Sequence, residues 1–134
     1  AFDGPSPLPA CLSKGVVTAL LREEMGFRGL VMTDDLLMGA ITSSRDVNDA
    51  AVLSIEAGND IVTVSALDRA LGVWEAMTGA AKEGRITRQK ISKCFDNIAR
   101  VKSKISPPLP FSEGAISRLR DRIGELNVAL QQSH

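Results

Sequence analysis

The stretch Gly29-Leu30-Val31-Met32-Thr33-Asp34-Asp35-Leu36-Leu37-Met38 constrains this chain more than any other. A continuous apolar run, opened by glycine and too short for a helix, ends on two adjacent carboxylates. Such a run predicts a strand over 30–34 buried on both faces, as in parallel α/β sheets. In those sheets the carboxyl end of a strand faces the active site. Asp34 and Asp35 occupy that end. Successive strand side chains alternate faces, so an extended backbone cannot aim both carboxylates into one site. One is the candidate for chemistry. The other caps the following turn or pairs with a neighbouring strand, and plain turn capping also accounts for an aspartate here.

Around this strand the chain alternates between helix and strand. Residues 1–11 read as loop, with Gly4, Pro5, Ser6, Pro7 and Pro9 excluding a regular element. Ser13 predicts the N-cap of a helix with Val16, Val17, Leu20, Leu21 and Met25 in one apolar stripe. Arg22, Glu23 and Glu24 fall outside that stripe, and Gly26 ends the helix. Gly39 to Ser44 reads as a connecting loop. Ser44 or Asp46 caps a second helix bearing Val47, Ala50, Ala51, Ser54 and Ala57, with Asp46, Asp49 and Glu56 on its solvated face and Gly58 as its stop. Asp60 leads into Ile61-Val62-Thr63-Val64, a second short buried strand. About 30 residues separate the two strands, the length of a right-handed βαβ crossover.

A third helix is expected from about Leu67, with Leu71, Trp74 and Met77 inward as core and fraying near Gly79 and Gly84. A fourth, capped by Thr87, repeats Ile91, Phe95, Ile98 and Val101 at helical spacing. Ser106-Pro107-Pro108-Leu109-Pro110 opens a stiff linker over 106–111. Ser112 begins an amphipathic helical tail, 112–134, with Ile116, Leu119, Ile123, Leu126 and Leu130 on one face. Two short buried strands need parallel neighbours to make a stable sheet. The expectation is an α/β chain that forms the tail end of a larger domain.

Charge narrows the functional classes. Sixteen basic residues balance 16 acidic ones among 134, which gives no case for nucleic acid, an acidic substrate or an anionic membrane surface. Lys102, Lys104, Arg118, Arg120 and Arg122 interleave with Asp121 and Glu125, without aromatics to stack on bases, so they read as a solvated face. No apolar run approaches the roughly 18–20 residues of a membrane span. Cys11 and Cys94 lack metal-ligand spacing and read as reduced thiols of a cytoplasmic protein, with no metal and no cofactor implied. His134 is the single histidine, which leaves no histidine-based nucleophile apparatus in the chain. Gly26-Phe27-Arg28-Gly29 precedes a strand instead of opening a helix, the reverse of a phosphate loop.

The motifs in series point further. Pro9-Ala10-Cys11-Leu12-Ser13, Leu21-Arg22-Glu23-Glu24-Met25-Gly26-Phe27-Arg28-Gly29, Thr33-Asp34-Asp35-Leu36-Leu37-Met38 and Ala57-Gly58-Asn59-Asp60-Ile61 closely resemble glycoside hydrolase family 3. The nearest branch is the bacterial β-N-acetylhexosaminidases of cell-wall recycling. The resemblance covers about residues 1–105, with Cys11 and Thr33 each standing where the branch usually has Ser. It implies the C-terminal portion of a (β/α)8 barrel: strands seven and eight with helices six to eight, followed by the tail.

By this resemblance Asp34 matches the catalytic nucleophile of a retaining hydrolase, which attacks the anomeric carbon to give a covalent glycosyl-enzyme. Asp35 is assigned to shaping the loop at the substrate site, and Met38 to the wall of the sugar pocket. The implied substrate is a terminal β-linked N-acetylglucosaminyl group, from peptidoglycan fragments. The branch's histidine acid/base and its other sugar-binding groups come from earlier strands that this sequence does not contain, so the chain alone is expected to be inactive. Another family 3 β-glycosidase fits less well, because those usually show Asp-Trp where Asp34-Asp35 stands. A third reading is a non-catalytic remnant that self-associates through open strand edges or the C-terminal helix.

Overall fold

The computed structural model describes residues 8–108 and 110–132. The loop expected at Gly4 to Pro7, Leu109 of the linker and the terminal His134 lie outside them. The chain turns once at Ala10–Leu12 and enters a wide helix, Gly15–Glu24, whose N–H groups reach back five residues, as Met25 does to Leu20 O at 2.9 Å. Then follow β1 (Met32–Asp35), α1 (Gly39–Thr42), α2 (Val47–Ala57), β2 (Ile61–Thr63), α3 (Leu67–Lys82), α4 (Arg88–Lys102) and α5 (Glu113–Gln132). Among the described residues the sheet has two strands, β1 and β2, running parallel with α2 in the crossover.

Helix starts follow their capping residues. Ser13 Oγ accepts the Val16 N–H at 3.0 Å, Asp46 Oδ1 the Asn48 N–H at 2.8 Å and Thr87 Oγ1 the Lys90 N–H at 3.2 Å. Each supplies an acceptor for a donor that the first helical turn leaves unpaired. Ser112 does the same for Ala115 ahead of α5.

The core is built around α2. Val47, Ala50 and Ala51 pack with Leu12, Leu36, Ile41 and Val73, while Val52 and Ile55 pack with Ala80 and Ile86. Small residues on α2 let the strands and α3 approach closely, and Ser54 spends its buried hydroxyl on Ala51 O at 2.8 Å. Gly58 ends α2 at φ +127°. A Cβ on it would stand 2.6 Å from Thr18 Oγ1, so helix α2 and the wide helix meet there at glycine distance.

Several sequence expectations are corrected. β1 is covered on one face only: Thr33 is buried, but Met32 and Asp34 are exposed, because the described residues put nothing over their side. β2 is half-buried throughout. The 39–44 connection contains a helical turn, α1. Met25, just past the wide helix, is exposed, and on the helix Arg22 turns inward instead. On α3 the inner face is Val73, Ala76, Met77 and Ala80, a narrow small-residue stripe that fits against α2. Leu71 and Trp74, one position around the helix, point outward, Trp74 with 63% exposure. The helix also runs unbroken through Gly79 and ends at Lys82, just before Gly84 at φ +79°. On α4, Cys94 is the buried position, whereas Ile91 and Phe95 are exposed. α5 has no buried residue, so its apolar face is bare.

Candidate active site

The two strands meet at their carboxyl ends through side chains. Thr33 and Thr63 exchange two bonds: Thr63 N–H donates to Thr33 Oγ1 and Thr63 Oγ1 donates to Thr33 O, both at 3.0 Å. The register runs from Met32 opposite Ile61 to Asp35 opposite Thr63, so β1 carries one extra residue between those pairs. This is a bulge, and it interrupts the strict alternation of side chains just before the two carboxylates. Leu36, buried behind them, closes the ladder with its N–H to Thr63 O at 3.0 Å.

The bulge separates the fates of Asp34 and Asp35. Both Asp35 oxygens are engaged: Oδ1 accepts the Leu37 N–H at 3.1 Å and the Ser65 N–H at 3.2 Å, and Oδ2 accepts the Ser65 hydroxyl. Asp35 thereby ties the turn after β1 to the residue after β2. The Ser65 hydroxyl first, then the Leu37 amide, hold its carboxyl below the usual aspartate range. Asp34 is exposed and accepts one N–H, that of Asp35, at 2.8 Å on Oδ1. Met38, half exposed, begins α1 three residues past Asp35. Burial chiefly raises the pKa of the Cys11 thiol, with a smaller contribution from the Asp34 charge.

The arrangement offers one anionic oxygen group open to a reacting partner and one committed to architecture. An open carboxylate of this kind can serve as a nucleophile or charge stabiliser, but proton donation to a leaving group requires a second group. Among the described residues no three His, Cys, Asp or Glu side chains cluster in a way that could hold a metal. Also among them, no helix is long and apolar enough to cross a membrane.

Sequence reading missed a second polar centre at the opposite end of the sheet. Asp60 accepts Arg22 Nη2 at 2.7 Å and the Val31 N–H at 2.9 Å on Oδ2, and the Asn97 amide at 2.9 Å on Oδ1. Arg22 also donates to Gly58 O through Nε at 3.0 Å and Nη2 at 2.9 Å. The local signal was Asp60 standing directly before an apolar strand, where a lone carboxylate demands a partner.

Comparison with known proteins gives a consistent result. Residues 1–101 match the family described as glycosyl hydrolase family 3 N terminal domain. The chain is 26% identical over 123 residues to β-hexosaminidase A of Pseudoalteromonas piscicida, covering 87% of this chain and 20% of that protein. It is 39% identical over 59 residues to a β-hexosaminidase of Xanthomonas oryzae pv. oryzae, covering 44% and 18%. Among solved structures, a glycoside hydrolase family 3 β-N-acetylglucosaminidase from Paenibacillus superposes with a TM-score of 0.72 at 33% identity, over 82% of this chain and 22% of that one. The chain thus spans about a fifth of the length of these relatives.

Proposed function

Because the chain belongs to glycosyl hydrolase family 3, we propose that it carries the nucleophile segment of a retaining β-N-acetylhexosaminidase, with Asp34 as the nucleophile. In this reading β1 and β2 are the seventh and eighth strands of a (β/α)8 barrel. The exposed side of β1 faces the barrel interior, and Met38 forms part of the sugar-pocket wall. Asp35 acts by holding the β1 turn against Ser65. The substrate is a terminal β-linked N-acetylglucosaminyl group, and its source is a peptidoglycan fragment.

The observation that carries the reading is the division of labour between adjacent carboxylates. Asp35 has both oxygens occupied, whereas Asp34 presents its carboxylate at the open carboxyl end of the strand. A nucleophile must be accessible, and the exposed Asp34 carboxylate, which accepts the neighbouring Asp35 N–H, supports this reading. Proton transfer typically contributes 10²–10⁴-fold, and the sugar-binding groups of the earlier strands contribute more, so this chain alone is expected to show no measurable turnover of an aryl N-acetyl-β-glucosaminide.

The test is a chimera in which residues 8–101 replace the corresponding segment of the Paenibacillus enzyme. Activity is expected in the chimera, loss of at least about 10³-fold in Asp34→Gly, and partial rescue of that variant by azide with formation of a glycosyl azide. A folded, active chimera indifferent to Asp34→Gly overturns the assignment. Self-association is a second reading for the tail. It is favoured by the 3-4-3-4 spacing of Ile116, Leu119, Ile123, Leu126 and Leu130 on an exposed helix. Light scattering with and without residues 112–134 tests it.

A further inference from the structure

We propose that the cavity at the amino end of β2 is a binding site for a phosphate-class oxyanion. It encloses about 390 Å³ between the wide helix, the turn that follows it and α4. Five cations line it: Arg22, Arg28, Lys90, Lys93 and Arg100. Asp60 and Glu23 are the carboxylates on its wall. Both Asp60 oxygens are already engaged, with Arg22, Asn97 and the Val31 N–H. That leaves four cations facing one rim carboxylate.

Among the described residues those four, Arg28, Lys90, Lys93 and Arg100, form no ion pair of their own: the pairs are Arg22–Asp60, Arg45–Asp49, Arg69–Asp68 and Arg85–Glu56. The two arginines are instead steadied by neutral acceptors. Arg28 Nη1 donates to Arg22 O at 3.3 Å, and Arg100 Nη2 donates to Arg28 O and to Asn97 Oδ1. These bonds use one nitrogen of each fork and leave the rest of its donors available. On α4 the residues 90, 93, 97 and 100 recur at steps of three and four, so one helix face delivers them together.

Gathering like charges in a partly enclosed space is costly unless an anion joins them. Burial above all pushes the Lys90 ammonium below the usual lysine range, with a smaller push from the Arg22 and Lys93 charges against the pull of Cys94 and Asp60. Converging guanidinium and ammonium donors from two elements suit a multidentate dianion better than a single carboxylate. Recognition here is by side-chain charge, not by a glycine-rich loop. Phe27 on the wall offers an apolar surface to any organic group the phosphate carries. The cavity opens beside Asp60, ahead of β2, whereas Asp34 ends the parallel β1, so the two sites lie at opposite ends of the sheet.

The experiment titrates the whole chain with inorganic phosphate at constant ionic strength, following backbone amide shifts of residues 22–28 and 90–100. Saturable binding is expected, with Kd on the order of 1 mM or tighter. Lys93→Gln, at an exposed position, should weaken it about tenfold with Tm unchanged, and Lys90→Gln should do the same from inside the cavity. Arg69→Gln, on α3, should leave it unaltered. Glycerol phosphate binding more tightly than inorganic phosphate assigns a phosphomonoester, and equal binding assigns the free anion. Shifts that never saturate, or Lys93→Gln and Lys90→Gln binding as tightly as the parent, overturn the proposal.

Discussion

Arg22 and Asp60, 38 residues apart in sequence, form an ion pair of 2.7 Å with side chains only 11% and 2% exposed. The pair fastens the wide helix to the start of β2, and the further Arg22 bonds to Gly58 O reach the end of α2 as well. Three elements therefore converge on one guanidinium.

Breaking that pair should be among the most damaging single changes in the chain. Arg22→Met leaves Asp60 buried and charged without its cation, and a loss of about 3–5 kcal/mol is expected. Asp60→Asn keeps an acceptor for the Val31 N–H and should cost less than Asp60→Ala. Urea denaturation of Arg22→Met, Asp60→Leu and the double variant checks the coupling: the double variant should lose much less than the sum of the singles.

Asp35 makes part of the stability pH-dependent. Its folded-state pKa lies below the unfolded value, chiefly through the Ser65 hydroxyl. A carboxyl depressed in this way contributes stability that is complete above the unfolded value, roughly pH 4, and fades as the pH falls through the lowered folded value. Ser65→Ala removes the principal donor. NMR titration of the Asp35 carboxyl should therefore show its pKa rising toward the ordinary aspartate value, and the acid limb of the stability curve should flatten.

Gly58 and Gly26 separate strain from crowding. Both have positive φ, +127° and +67°, but a Cβ at Gly58 would meet Thr18 Oγ1 at 2.6 Å while one at Gly26 meets nothing within 4 Å. Gly26→Ala should cost only backbone strain, about 1–2 kcal/mol. Gly58→Ala adds a steric clash between α2 and the wide helix, for a total of about 3 kcal/mol or more. Thermal unfolding of the two variants gives the comparison, and equal losses would count against the close approach.

What could be read from the sequence was local. The caps at Ser13, Asp46, Thr87 and Ser112 depend on a hydroxyl or carboxylate a few residues from the N–H it serves, and each is where its residue type indicated. The buried face of α2 was legible because its apolar and small residues have no rival stripe. Helices α3 and α4 carry more apolar side chains than their neighbours cover. Periodicity alone could not say that Val73 goes in and Trp74 out. The Arg22–Asp60 pair left no periodic trace, since nothing local links residues so far apart. At the site, adjacency argued that an extended backbone would not aim both Asp34 and Asp35 into one site, and their hydrogen-bond partners do differ. Which one was open became visible only with Ser65 in place, 30 residues downstream.

The tail supplies the last prediction. Every described residue of α5 is exposed, and none of its side chains packs on the core built around α2. Helices in proteins gain most of their stability from packing an amphipathic face, and α5 packs its face on nothing described. Truncation after Ile105 should therefore leave the unfolding free energy of the remainder within about 0.5 kcal/mol of the parent, the range of a change that touches nothing. Far-UV circular dichroism should fall by the helical signal of α5 alone. A large drop in midpoint would mean that the apolar face formed by Ile116, Leu119, Ile123 and Leu126 is covered in solution, by this chain or by a second copy.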